Sequence, residues 1–250
     1  MSRTGYIGVR IPWRALARVV VLSVLIACDA AAQSATSATQ SQFNPEVDAH
    51  IELPVNLSLV SFAGWQRGTG YPYQQWYAAA ALGYRYKRIR TPHMTNIDPE
   101  KEASLVLGGG YEYLTTTQSG STTIENRVTL QATPGMRFFE NMLVRDRNRV
   151  ELRWRNGRYS TTYRNQLSVE WDFLVGRVRF SPYGAVEAFY DGPKQSWNEW
   201  WYTAGVQFPF GHHFMLDAYY RREDCPSCTP PKWNVAGLTL NYYGDVRRQK

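Results

Sequence analysis

The segment RDRNRVELRWRNG, from Arg145 to Gly157, constrains the fold more than any other stretch of the chain. Arginine or glutamate occupies every second position (Arg145, Arg147, Arg149, Glu151, Arg153, Arg155), with Val150, Leu152 and Trp154 between them. A period of two sends successive side chains to opposite faces of a strand; a helix would scatter the same row around its axis. One face of this strand is charged and the other is apolar.

The pattern recurs. Eleven strand-like segments follow one another from Glu46 (the first is EVDAHIEL, 46–53) to Tyr243 (the last is 233–243), with no helical periodicity between them. The seventh sets Arg164, Gln166, Ser168, Glu170 and Asp172 against Tyr163, Leu167, Val169, Trp171 and Phe173. The eighth opposes Arg179, Tyr183 and Glu187 to Phe180, Val186, Ala188 and Tyr190, and in the ninth Trp200, Tyr202, Ala204, Val206 and Phe208 share a side. In the tenth, Met215, Asp217, Tyr219 and Arg221 alternate with Phe214, Leu216, Ala218 and Tyr220.

A soluble sandwich would turn its apolar face inward and its charged face to water. Two features favour the opposite arrangement. Most segments run to ten residues or more, against about five or six in soluble sheets, and about ten tilted residues cross a bilayer's hydrocarbon. The 17 tyrosines and 9 tryptophans also collect at strand margins, as an interfacial aromatic girdle requires. A sheet in lipid must close, because an open edge leaves backbone groups unsatisfied. The expected fold is therefore all-β: an antiparallel transmembrane β-barrel over 46–244 with its charged face toward the lumen. Trp154, Leu167, Trp171, Val186 and Phe208 then face lipid. Single-chain bacterial barrels favour even strand numbers, so the eleven segments suggest about twelve strands, with a turn hidden near Thr133–Gly135, or else ten.

The N-terminus reads as an export signal. Arg3, Arg10, Arg14 and Arg18 precede the apolar run Val19 to Ala27, which is too short to span a bilayer. Cleavage after Ala32 would remove residues 1–32; alternatively LIAC, ending at Cys28, matches a lipoprotein lipobox. Residues 33–45 read as a flexible tether and 245–250 as a short tail. Export of a barrel implies the bacterial outer membrane, with its lipid as partner and both chain termini at one end. The net charge of +7 owes much to the export signal, and the remainder is too interspersed for a nucleic-acid protein. Cys225 and Cys228, in DCPSC, have too few companions for zinc and the wrong flanks for thioredoxin chemistry. In an exported chain they read as a disulfide stapling a loop. No cofactor or metal motif is present.

Function rests on the lumen-facing network Arg145, Arg147, Arg149, Glu151, Arg153, Arg164, Glu170, Asp172, Arg179, Glu187 and Asp217. In a wide interior these side chains line a narrow passive channel or transport path biased toward small anionic solutes, the reading favoured by the number of charges. Interlocked instead, they plug the barrel and leave a scaffold. A lipid-modifying enzyme is the third reading. Its weakness is the lack of a catalytic set: His213 and Asp217 lie about 13 Å apart along a strand, and no sequence signal pairs the inward Ser168 with a base.

The segments VRDRNRVELRW, YRNQLSVEW and FSPYGAVEAFYD resemble the bacterial family catalogued as domain of unknown function 2490, whose members are expected to be outer-membrane barrels. Arg147, Arg149, Glu151, Arg153, Arg164, Pro182, Tyr183, Glu187 and Phe189 match its short motifs, and the DCPSC loop departs from them. The resemblance is best over residues 125–243. It implies fold and location and carries no established activity.

Overall fold

The computed structural model describes residues 39–88, 97–139, 141–176 and 178–246. The export signal at 1–32, Cys28, residues 33–38 of the expected tether and the last four residues lie outside the described residues. Twelve strands make up the described chain: β1 (Thr39–Glu52), β2 (Leu57–Thr69), β3 (Tyr73–Arg88), β4 (Ala103–Gln118), β5 (Ser121–Phe138), β6 (Met142–Arg155), β7 (Arg158–Trp171), β8 (Phe173–Val175), β9 (Val178–Asp191), β10 (Ser196–Phe210), β11 (Phe214–Asp224) and β12 (Lys232–Asp245). Apart from β8, each is long enough to cross hydrocarbon when tilted. A short 3-10 turn at Pro99–Glu102 precedes β4.

Eleven of these strands form a closed ring. Sequence neighbours pair antiparallel around it, β7 pairs with β9, and β1 closes against β12. The short β8 pairs only with β9, as a tab beyond the end of β7. No turn interrupts β5 near Thr133–Gly135: the strand runs through Pro134, opposite Leu105.

An odd ring has a geometric consequence. Ten reversals of direction leave β12 pointing the same way as β1, so the closing ladder is parallel, from Thr39↔Lys232 to Glu52↔Asp245. The fold is thus a mixed rather than wholly antiparallel barrel. The expectation that both termini lie at one end is corrected. Thr39 starts at the end that carries the Cys225–Cys228 loop, and Asp245 finishes at the other.

Strand β1 also begins at Thr39, so the second half of the stretch read as a tether is wall. Its polar residues Gln42 and Asn44 are buried while Phe43 is 45% exposed, the inverse of a soluble strand. The same inversion holds elsewhere. Leu167, Trp171 and Val186 are exposed on the outer face, and Glu151, Glu170 and Glu187 are almost inaccessible inside. An eight-stranded barrel is just filled by its side chains, whereas sixteen strands or more leave a channel. An eleven-stranded ring needs long side chains to reach the axis, and the lumen holds Arg, Glu, Tyr and Trp.

Several inward tyrosines are seated on glycine. A Cβ on Gly237 would collide with the Tyr219 ring, and one on Gly64 with the Tyr77 hydroxyl. Each glycine is the cross-strand partner of its tyrosine. The missing side chain lets the ring fold back over the wall and aim its hydroxyl across the lumen.

Candidate functional site

The charged wall is assembled from β5, β6, β7 and β9. Antiparallel register sets Arg149 opposite Arg164 and Gln166 opposite Glu187. Two like charges side by side are unfavourable alone, so each arginine reaches diagonally for a carboxylate. Arg164 is held on three sides. Its Nε and Nη2 donate to the two oxygens of Glu187 at 2.9 and 3.0 Å, and its Nη1 donates to Glu151 at 2.8 Å. The guanidinium also lies 4.4 Å from the Phe189 ring centre and 5.0 Å from that of Trp201. Planar guanidinium suits this double role of forked donor and stacking partner. Glu151, Glu187 and Arg164 are 1%, 2% and 7% exposed.

Arginines flank this triad along the strand axis. Arg147 joins Glu187 at 2.9 Å. Arg149 donates to Gln131 at 3.0 Å and stands 4.0 Å from Glu151. Toward the end carrying the cysteine loop, Glu125 gathers Arg127, Arg153 and Arg155, and Arg127 also reaches Glu112. Arg153 donates to Thr162 as well.

Toward the other end the lumen is crossed by the 3-10 turn. Asp98 caps it by accepting from the Glu100 N–H at 2.9 Å. Lys101, 3% exposed, projects inward to Glu170 and to Gln207 at 2.6 Å, which ties the turn to β7 and β10. Burial, with Asp98 beside it, raises the Glu100 carboxyl, while His50, Arg145 and Arg85 pull it the other way. Arg145 stands opposite Ser168 in the pairing of β6 with β7. Asp172 pairs with Arg137 and accepts from Ser181 at 2.6 Å. Arg179 lines a small cleft with Lys101 and Ser181.

Midway along the barrel the wall of β11, β1 and β3 uses neutral donors, between the ion pairs Arg221–Glu223 toward the cysteine-loop end and Arg85–Glu52 toward the other. Tyr77 donates to Asn44 and Glu46 at 2.9 and 2.6 Å, and Asn44 donates to Tyr219 at 2.7 Å. Asp217 accepts from Tyr183 and Gln207. Asp217 therefore belongs to a tyrosine network and not to the arginine row. His213 is held by the Tyr243 carbonyl at 2.7 Å, at the start of β11, so it forms no dyad with Asp217. Cys225 and Cys228 are disulfide-bonded, which excludes them as thiolate ligands for a metal beside Glu199.

Sequence reasoning missed Lys101, Glu112, Glu125, Arg127 and Arg137. Glu125 and Arg127 carry the alternating signal, but only the register of β5 on β6 (Glu125↔Arg155, Arg127↔Arg153) shows them to be partners. Lys101 sits in a loop with no periodicity at all.

One group of polar side chains lies outside this interior. Asp146, Asn148, Tyr163 and Asn165 occupy the outward face of β6 and β7. Asn165 Nδ2 donates to Asp146 at 2.6 Å and to Asn148 at 3.1 Å, and the Tyr163 hydroxyl donates to Asn148.

A closed β-barrel with a charge-filled lumen is the class that this geometry defines. Within that class, the family model "Protein of unknown function (DUF2490)" matches residues 66–224, and the chain belongs to this family. No curated protein matches the chain. Among solved structures it is similar to "LpxR from Salmonella typhimurium", at 7% identity, over 75% of this chain and 83% of that one, with a TM-score of 0.45.

Proposed function

We propose that the protein is an outer-membrane barrel whose lumen is sealed by interlocked charge pairs, a scaffold whose working surfaces are its outer wall and its rims. The observation that carries this is the Arg164 clamp: one guanidinium bonded to two carboxylates, all three nearly inaccessible. An open aqueous path would hydrate such groups; here they hydrate one another.

Placement in a membrane is supported by the outer surface. Leu82, Leu107, Leu130 and Leu167 are 55%, 44%, 58% and 52% exposed. Together with the exposed aromatics they make an apolar belt far larger than a soluble monomer tolerates. The export signal read from residues 1–32 agrees. Membrane fractionation and heat-modifiable gel migration test this placement, and recovery as a soluble monomer without detergent overturns it.

The second reading is the narrow anion channel. Its support is the residual exposure of the Arg147 and Arg149 side chains, 26% and 19%. Planar-bilayer recording of the refolded protein separates the two. A sealed barrel gives no conductance beyond leak, and Arg164→Ala, which removes the clamp, introduces openings. Discrete wild-type openings whose anion preference falls in Arg149→Ala overturn the sealed barrel in favour of the channel.

A further inference from the structure

Polar side chains on the lipid face of a barrel are costly, and Asp146, Asn148 and Asn165 sit near the worst position for them. Asn148 lies six residues from the start of β6, about 20 Å along the strand, near mid-depth for a tilted strand in a bilayer core of about 30 Å. Polar groups in that position mark a site of use.

The cluster is not self-sufficient. Asn148 and Asn165 are direct cross-strand partners, and the amide of Asn165 is spent on Asp146 and Asn148. Among the described residues, no protein donor reaches the second carboxylate oxygen of Asp146 or the side-chain oxygen of Asn165. The leftover capacity is therefore that of acceptors, one of them on a formal anion. It calls for N–H or O–H donors from outside the chain.

Beside the cluster a groove crosses the outer wall. It has a volume of about 670 Å³ and is lined by Leu82, Leu107, Gly109, Leu130, Val150 and Tyr163. These residues belong to β3 through β7. The groove also touches Leu57 at the start of β2, so it spans five strand spacings of about 4.8 Å, or about 24 Å in all. Its floor is low because Gly109 has no side chain, and a Cβ there would already press on Leu130 at 3.3 Å. An elongated apolar trough with a few orienting polar groups at one end has the make-up of a ligand site. A second copy of the chain fits less well: across a twofold axis the trough would face its own image and enclose a void.

We infer that this groove binds a membrane lipid that carries amide or hydroxyl donors next to its acyl chain, with the chain over Gly109 and the donors on Asp146 and Asn165. Lipids with only ester oxygens in that region offer acceptors to acceptors and are excluded. The inference rests on the membrane placement proposed above.

The test uses the full refolded protein in dodecyl maltoside micelles and two diazirine-bearing probes. One is an N-acyl amino alcohol, the other the matching diacyl ester without N–H or O–H. The amide probe should label peptides containing Leu82, Leu107 or Leu130 about five- to tenfold more than the ester, the effect of one or two hydrogen bonds. The double variant Asp146→Leu, Asn165→Leu should erase that preference, and Gly109→Leu, which fills the floor and leaves the polar cluster intact, should lower labelling by both probes. Equal labelling of the wild type by the two probes overturns the inference, as does a preference that survives the double variant. A dimer that dissociates in the double variant assigns the surface to a second copy and overturns it too. Heat-modifiable migration of every sample keeps the two ideas apart. A migrating barrel without preference sinks the groove alone, and a soluble chain sinks the membrane placement.

Discussion

On the wall of β5, β6, β7 and β9, carboxylates meet arginines: Glu125 has three, Glu187 two, Glu151 the clamp and Arg149. On the wall of β11, β1 and β3, Glu46 and Asp217 meet tyrosine hydroxyls and amides instead. Both walls fill the same lumen, yet they respond differently to damage. Removing one member of a buried ion pair leaves a charge that was desolvated on the assumption of a partner, and the loss is large. Removing one neutral hydroxyl leaves an acceptor that other donors still approach, as Thr239 does Glu46, and the loss is modest. The arginine clamp is therefore expected to be intolerant of substitution, and the tyrosine stretch between Arg85–Glu52 and Arg221–Glu223 more tolerant.

Urea unfolding of the refolded protein in micelles tests this contrast. The largest effect is expected from Arg164→Ala, which leaves Glu187 with Arg147 alone and Glu151 with only the more distant Arg149 and should cost about 3–5 kcal/mol. Arg164→Lys should recover only part of that, because one ammonium cannot reproduce the forked bonds to Glu187 and the stacking on Phe189. If lysine restores wild-type stability, charge alone matters and the geometry of the clamp does not. On the other wall, Tyr77→Phe removes bonds to Asn44 and Glu46 and should cost about 1–2 kcal/mol. A loss equal to that of Arg164→Ala would erase the distinction between the walls. At the rim, Arg155 has a side chain 57% exposed and Glu125 keeps Arg127 and Arg153. Arg155→Ala should therefore shift stability by less than about 1 kcal/mol. A larger shift would show the charged network to be tightly coupled out to its edge.

The inward row from Arg145 to Arg153 was legible because alternation is a local property, fixed by the two-residue repeat of a strand whatever surrounds it. The start of β1 was not. Ser41, Gln42 and Asn44 look like a loose polar linker, and Pro45 argues against a strand. Pro45 is tolerated where it stands opposite Leu238 in the parallel ladder, while β2 makes no pair with it. The outward cluster was hidden for a related reason. Asp146 and Asn148 sit among arginines, so their polarity passes unnoticed until the face they occupy is known.

Alternation along the chain was enough to show that it is all strand, which residues of each strand share a face, and that those faces are inverted relative to a soluble sheet. It also showed eleven long segments, each bounded by turn residues, but the preference of barrels for even numbers turned that count to about twelve, whereas the ring holds eleven long strands. How the ring closes emerges from the folded barrel alone, because an odd number is accommodated by one parallel seam that no local pattern announces. The folded barrel also decided which charge meets which. Partners such as Lys101 and Glu170, or Arg164 and Trp201, are brought together by strand register and ring curvature. Those are set by the whole closed sheet and not by neighbours along the chain.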